Sequence, residues 1–414
     1  MNPAAPQHFL FVRRLPPLPQ GEWGGMEKLM LDWFERVDTR NAKITLVVTA
    51  DWVKRFREEA ARRNIELQVV EISFEFPVRF RERFRVFSAL LKSLKPSCVV
   101  FFQGWFAEFA IPELLASWIQ TGGRVYIHEN LGPEEPPEKT SRWYFGVVPG
   151  MGLWWHRQRF RINGRAHLCR AVLVVSRELK ERYVQWWGYP SWKVKVTYHG
   201  VDIGKYSPSP EVRVALRAQL GISPSETVIL TTARFTRQKR LERVIEAFDL
   251  IAQERNNVRL MMAGTGPLES ELKKLAASLP SADRIKFLGQ LADPSEYLKM
   301  SDVFVLSSDN EGLSLALLEA MATGLICVST DCVGSTEVID DGVNGYLVDK
   351  NTKSVCDGLR RALDMSGKER EEIKRNGVGF VREKFDIEKN VRDLFKSIGL
   401  ACKSTDLTSE VRKL

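Results

Sequence analysis

Residues 303–330 read VFVLSSDNEGLSLALLEAMATGLICVST. An apolar run, Val303–Leu306, leads into a polar turn, Ser307–Asn310. A helix-forming stretch follows and stops at Thr323-Gly324, and a second apolar run begins at Ile326. Short apolar runs separated by a helix read as buried parallel strands joined by a crossover. The same unit recurs outward. Val228–Thr232, Val258–Met262 and Ile285–Leu288 precede it in the second half of the chain. Phe9–Val12, Ile44–Val48, Val99–Phe102, Val125–Ile127 and Val172–Val175 repeat the theme in the first half. Such alternation predicts an α/β fold with a doubly wound parallel sheet, and its double occurrence predicts two Rossmann-like domains.

A chain of 414 residues is too long for one compact core and suits two. The turn-rich stretch His199–Pro210, with Gly200, Gly204, Pro208 and Pro210, marks the boundary. The first domain is therefore expected over 1–200 and the second over 201–385, with a final helix over 386–402 packing back on the first. Charge and aromatic content divide at the same place. Residues 1–205 hold 31 Lys and Arg against 21 Asp and Glu, and the remainder holds 30 against 31. All eleven tryptophans lie at or before Trp192. Halves of such different composition suit different partners, the basic aromatic half an anionic and partly apolar one.

No apolar run approaches the roughly 18–20 residues that span a bilayer. Met1–Leu15 lacks the layout of a signal peptide, so a cytoplasmic location is expected. The six cysteines form no C-x-x-C pair, and no histidine stands at ligand spacing from them, which predicts buried reduced thiols and no metal site.

Three loops carry the candidate chemistry. Glu311 ends the turn after Val303–Leu306, and Glu319 lies in the following helix, whose N-terminus offers N–H groups and a positive dipole end to phosphate oxygens. Arg234 and Lys239 follow Val228–Thr232 and could neutralise a diphosphate. Gly264 and Gly266, in AGTGP after Val258–Met262, permit a sharp turn or a close backbone approach. Each has a plainer alternative: an acidic residue before an ordinary helix, a solvated basic loop that includes Arg237 and Arg240, and a simple turn.

Taken in order, these features resemble the retaining glycosyltransferases of family 4, which have the GT-B fold of two Rossmann-like domains facing across a cleft. The likeness includes the E-x7-E spacing of Glu311 and Glu319 and the pair Arg234 and Lys239. It extends through Gly334-Ser335-Thr336-Glu337, Asp341-Gly342-Val343-Asn344-Gly345 and His199-Gly200-Val201-Asp202. The first half matches more loosely, at Gly24-Gly25-Met26-Glu27 and His128-Glu129. Ile326 stands where the family often has proline, and Val333-Gly334 where many relatives have two glycines. The resemblance implies a nucleotide-sugar donor, UDP- or GDP-linked, and no cofactor. Arg234 and Lys239 would bind its diphosphate and Glu319 its ribose. Glu311 would hold the transferred sugar. The backbone of Gly312, Leu313, Ser314 and Leu315 would bind sugar and phosphate, and Gly25 would approach the diphosphate from the other domain. His128 would contact the sugar near the reaction centre, or else is an ordinary core histidine.

The expected acceptor is a glycan, glycolipid or lipid-linked molecule. Residues 76–95, FPVRFRERFRVFSALLKSLK, place Phe80, Phe84, Phe87, Leu91 and Leu94 on one helical face and carry five net positive charges. Such a helix either lies on an anionic membrane or packs on its own sheet. Arg142–Arg170 is rich in Trp, Phe and Arg, which suits sugar stacking, lipid headgroups or phosphate. Rival functions are a transferase making a small soluble glycoside, a nucleotide-sugar epimerase, and a basic nucleic-acid-binding protein, though no nucleic-acid recognition motif is present.

Overall fold

The computed structural model describes residues 6–13, 24–72, 80–103, 111–131 and 165–402. The chain divides into two units, Met1–Tyr198 with Val391–Leu414, and His199–Asn390. The first is built on a sheet of β1 (Gln7–Arg13), β2 (Ala42–Val48), β3 (Gln68–Glu71), β4 (Cys98–Gln103), β5 (Val125–Glu129), β6 (Ala171–Val174) and β7 (Val194–Val196). All pairings are parallel, in the order β3-β2-β1-β4-β5-β6-β7. The second holds β8 (Thr227–Thr232), β9 (Val258–Ala263), β10 (Ile285–Gly289), β11 (Val303–Leu306), β12 (Ile326–Thr330) and β13 (Tyr346–Val348). It too is parallel, in the order β10-β9-β8-β11-β12-β13.

All ten apolar runs are strands. Three further strands, β3, β7 and β13, lie outside those ten runs. Each is short and lies at the end of its sheet, where one side lacks a neighbour and burial no longer demands a continuous apolar sequence.

The helix Leu315–Ala322 is buried at Leu317, Leu318, Ala320, Met321 and Ala322, as a helix apolar on nearly every side should be. Ser314 caps it by accepting the Leu317 N–H, and Gly324, at φ +82°, ends it. The basic helix spans Phe80–Leu94. Phe87 and Leu91 are buried, and Arg83 pairs with the buried Glu113 of the helix Ile111–Thr121. Part of its apolar stripe thus serves the core of its own unit. Phe80 does not, since it is 53% exposed. Arg79 and Phe76 lie outside the described residues, as do Met1–Ala5 and the residues after Cys402. Among the described residues no helix is long and apolar enough to cross a membrane.

The segments by which the chain enters and leaves the second unit are stitched together inside it. Val201 N–H donates to Phe385 O at 2.7 Å, and Ile387 N–H donates to Val201 O at 3.1 Å. The Asn390 side chain donates to His199 O at 2.8 Å. Gly200 makes this closure possible, because a Cβ there would stand 2.3 Å from Ile387 Cα. Backbone cannot move aside as a flexible side chain can, and overpacking costs typically about 1–3 kcal/mol. Gly200→Ala is therefore expected to lower the thermal midpoint of the His199–Asn390 unit clearly, measured by calorimetry. An unchanged midpoint would mean that the two segments part without loss.

Candidate functional site

In the second sheet the strand order reverses between β8 and β11, which are neighbours. Ligands of open α/β sheets bind outside the carboxyl ends of the strands at such a switch point. The two loops that leave β8 and β11 there are 233–240 and 307–314, and they carry Arg234, Lys239 and Glu311.

The first loop is shaped from beneath. Phe235 is buried, and its N–H donates to Thr265 O at 2.7 Å. Gly264 and Gly266 have φ of +135° and +155°. Cβ atoms on them would stand 1.8 Å from Ala233 O and 2.5 Å from Phe235 O. Both glycines thus let the β9 loop lie directly against the backbone of the loop bearing Arg234.

The two loops are then zipped together. Asp309 N–H donates to Gln238 O at 2.9 Å, and the Gln238 side chain donates to Asn310 O at 2.6 Å. Ser307 Oγ donates to Lys239 O at 2.7 Å. Asp309 accepts from Arg240 Nε at 2.5 Å and from Arg243 Nη1 at 2.7 Å. Arg240 adopts φ +50° where the short turn Arg237–Lys239 passes into the helix Leu241–Glu254. Arg240 is therefore not a member of a merely solvated basic loop; it clamps the second loop.

This clamp brings Lys239 Nζ onto the carboxylate of Glu311, which is buried and also accepts from Ser308 Oγ at 2.6 Å. Gly312, Leu313 and Ser314 lead from Glu311 to the helix N-terminus at Leu315. Gly334, at φ +80°, abuts this stretch, since a Cβ on it would stand 2.3 Å from Gly312 O. Only this one glycine is required by the packing there; the preceding residue, Val333, is buried. Arg234 is exposed on the first loop, and Glu319 is half-buried in the helix Leu315–Ala322.

Gly25 and His128 belong to the other unit. Gly25 opens the helix Gly25–Phe34, which follows β1. Its first-turn residue Glu27 is buried and pairs with Arg13 at the end of β1, 3.2 Å away. His128 lies in β5 and is 1% exposed. Its ring stacks on Phe102, centroids 4.7 Å apart, and meets the edge of Trp33 at 5.2 Å.

The expected roles overlooked Ser308, Asp309, Gln238 and Arg243. Their signal is only local polarity beside a strand end; Ser308 bonds Glu311 three residues on, but the partners of Gln238, Asp309 and Arg243 lie some 66–72 residues away in the chain. Trp143, Tyr144, Phe145, Trp154, Trp155, Arg157, Arg159, Phe160, Arg161 and the loop Glu134–Pro137 lie outside the described residues. Five of the six cysteines are buried, and all are free. Among the described residues no group of three or more His, Cys, Asp or Glu is arranged to hold a metal ion.

Both halves of the chain match family models. Residues 212–379 match the model described as "Glycosyl transferases group 1", and residues 23–205 the one described as "Glycosyltransferase Family 4". An uncharacterized glycosyltransferase of Methanocaldococcus jannaschii is 33% identical over 54% of this chain and 59% of its own length. Alpha-monoglucosyldiacylglycerol synthase of Streptococcus pneumoniae is 32% identical over 49% of this chain and 46% of its own. The chain spans about half the length of the curated relatives it matches. The fold is that of solved GT-B glycosyltransferases. The Anabaena protein HepE, solved with UDP-glucose, superposes with a TM-score of 0.72 at 19% identity, covering 95% of this chain and 99% of its own.

The clamp is electrostatic and so depends on pH. Burial pushes the Asp309 carboxyl up, but hydrogen bonds and charge from Arg240 and Arg243 outweigh it and hold the group below its ordinary value of 3.8. A depressed pKa contributes stability that is full above the unfolded-state value and is lost as pH falls through the folded-state value. Asp309 is partly exposed, so its contribution is on the order of 0.2–1 kcal/mol. Asp309→Asn is expected to lower the melting temperature slightly at pH 7, with the difference closing below pH 3.8. A difference that persists unchanged at low pH would assign the effect to packing.

Proposed function

We propose that this chain, matched in both halves by glycosyltransferase family models, transfers a sugar from a nucleoside-diphosphate donor to a glycan, glycolipid or lipid-linked acceptor, with retention of configuration. One observation carries the reading. Lys239 and Glu311 meet between the two loops of a switch point, on the residues that open a helix N-terminus, with Arg234 on the same loop as Lys239. A pair of cations beside a helix N-terminus suits a diphosphate, and a buried carboxylate suits sugar hydroxyls. The donor is UDP- or GDP-linked in this proposal; the UDP-glucose bound by HepE is a precedent for that class. Enzymes of glycolipid synthesis among the relatives favour an acceptor made of sugar or lipid.

The chemistry asked of the protein is modest. The bond between the sugar's anomeric carbon and the diphosphate oxygen breaks, and a bond from the acceptor oxygen forms on the same face. The acceptor's proton passes to the departing phosphate. Negative charge therefore grows on the diphosphate, where Arg234, Lys239 and the N–H groups of Gly312–Leu315 would stabilise it. Glu319 would hold the ribose. His128, in the other unit, would contact the sugar, and Gly25 would approach the diphosphate. These cations could carry the charge without a metal, so activity is proposed to be independent of one.

Lys239 is held by Glu311. A donor diphosphate must share that lysine, and Glu311 then has both a sugar to hold and a cation to release.

Arg234→Ala and Lys239→Ala are each expected to reduce turnover by about 10²–10³, the usual cost of one donor to a developing oxyanion. Folding should be little changed by Arg234→Ala, whereas Lys239→Ala, which leaves the buried Glu311 without its cation, is compared at equal folded fraction. Sugar transfer from a panel of UDP- and GDP-sugars measures it, and near-normal turnover in both variants would remove the two residues from the site.

Glu311→Gln separates the two roles of that carboxylate. Freed from its partner, Lys239 should bind the nucleoside diphosphate more tightly, by up to about fivefold, the scale of a partly exposed ion pair. Turnover should fall all the same, because the sugar loses a charged acceptor. Calorimetry with the diphosphate and a rate assay read the two effects; weaker diphosphate binding would contradict the shared-lysine arrangement.

A further inference from the structure

A cavity of about 540 Å³ lies in the first unit, to which all of its described lining residues belong. It opens at the amino ends of β1, β4, β5 and β6, the opposite edge of that sheet from Arg13 and His128. Small-molecule sites commonly occupy about 300–1,000 Å³. Its floor includes Tyr126 and Cys98, both buried.

Four cations converge on it from separate elements. Arg124 precedes β5, Arg170 precedes β6, Lys195 lies in β7, and Lys396 lies in the last turn of the helix Ile387–Ile398; all four are exposed. Among the described residues no acidic side chain lines the cavity. Among the described residues none of the four side chains enters an ion pair or a hydrogen bond. Several other cations of the same unit, all more buried, are matched: Arg13 by Glu27, Arg63 by Asp32 and Glu35, Arg83 by Glu113. Both guanidiniums act on the buried Cys98 thiol and Tyr126 phenol, opposing the upward push of burial. Their field therefore reaches into the cavity.

The end of a helix does not account for four charges. Carbonyls at a helix C-terminus attract a cation, but here the chain caps itself. Gly399 adopts φ +77°, Leu400 N–H donates to Phe395 O at 2.8 Å, and Gly399 N–H donates to Lys396 O at 3.3 Å. Like charges gathered without a counter-charge repel one another, and an anion entering the cavity would relieve that repulsion. Trp192 lines the same cavity and is 73% exposed, with Lys193 Nζ 5.3 Å from its ring centroid. A large exposed indole beside a cationic pocket offers a flat face to the uncharged part of a ligand.

We propose that this cavity is a second anion site, binding a phosphate-bearing molecule between Arg124, Arg170, Lys195 and Lys396, with the molecule's sugar or other uncharged part against Trp192. The site stands apart from the proposed donor site and does not rest on the transferase reading. A phosphomonoester can come from a soluble metabolite or a lipid headgroup, and the two sources are separable.

The test uses the full chain carrying Arg234→Ala and Lys239→Ala, which weakens the other anion site. Inorganic pyrophosphate and glycerol 3-phosphate are titrated by calorimetry, and phosphatidylglycerol vesicles by flotation. Adding Arg124→Gln and Arg170→Gln is expected to weaken binding of at least one probe by tenfold or more, two charge-assisted donors being lost. The affinity should also fall with added salt. Loss for the soluble phosphates places the ligand among metabolites, and loss for vesicles alone places it on a headgroup. The four-fold variant should fold, because the two arginines have no partners to lose; Lys195→Gln with Lys396→Gln serves if it does not. Equal binding of all three probes with and without the four cations would overturn the proposal.

Discussion

The structure of the second unit depends on how closely two loops can approach at one switch point. Chain leaving β8 must lie on chain leaving β9, and chain leaving β11 must lie on the chain leaving β8 and on that leaving β12. Backbone atoms meet there with no room for side chains at Gly264, Gly266 and Gly334. Three positive φ values at these positions are the conformational condition for that approach. Once the loops are in contact, Asp309 accepts from Arg240 and Arg243, and Lys239 meets Glu311. The ionic contacts depend on the backbone contacts, because side chains of this length reach one another only from loops already in register.

The same arrangement explains why Lys239 is paired with Glu311. A lysine aimed at a phosphate site and left alone in a partly buried loop would pay desolvation without return. Glu311 supplies the counter-charge locally, and Ser308 orients Glu311. In the proposed reading an incoming diphosphate would exchange one anionic partner for another and need not strip a fully hydrated cation. The cost of preparing the site has been met during folding.

The two units use charge differently. In the second, basic and acidic residues are nearly equal in number and are matched across loops. In the first, the excess is positive, and part of it gathers unpaired at the amino edge of the sheet. Part of the basic helix is tied to its own unit by Arg83 and Glu113, with Phe87 and Leu91 buried. Its remaining arginines and the exposed Phe80 face outward. An amphipathic pattern alone could not divide these residues, because packing on a sheet and lying on a membrane both ask for an apolar stripe.

Alternation of apolar runs and helical stretches was enough to determine two parallel α/β sheets, because a strand covered on both faces must be apolar throughout its length. The runs also located the loops at the carboxyl ends of the strands, and so made Arg234, Lys239, Gly264, Glu311 and Glu319 legible as a candidate set. The end strands β3 and β7 were not legible, since an edge exposes part of each strand and interrupts its apolar run, and β13, though apolar, is only three residues long. Nor were the partnerships. That Asp309 clamps Arg240 and Arg243, that Gly264 lies under Ala233, and that His128 stacks on Phe102 all depend on residues 26–69 positions apart. The unpaired cations of the first unit are the extreme case. Arg124, Arg170, Lys195 and Lys396 span 272 positions and look like ordinary surface charges in the chain. Sequence determines where strands begin, because burial acts on each run by itself. Only tertiary structure decides which strand ends become neighbours, because that depends on the order in which the sheet assembles them.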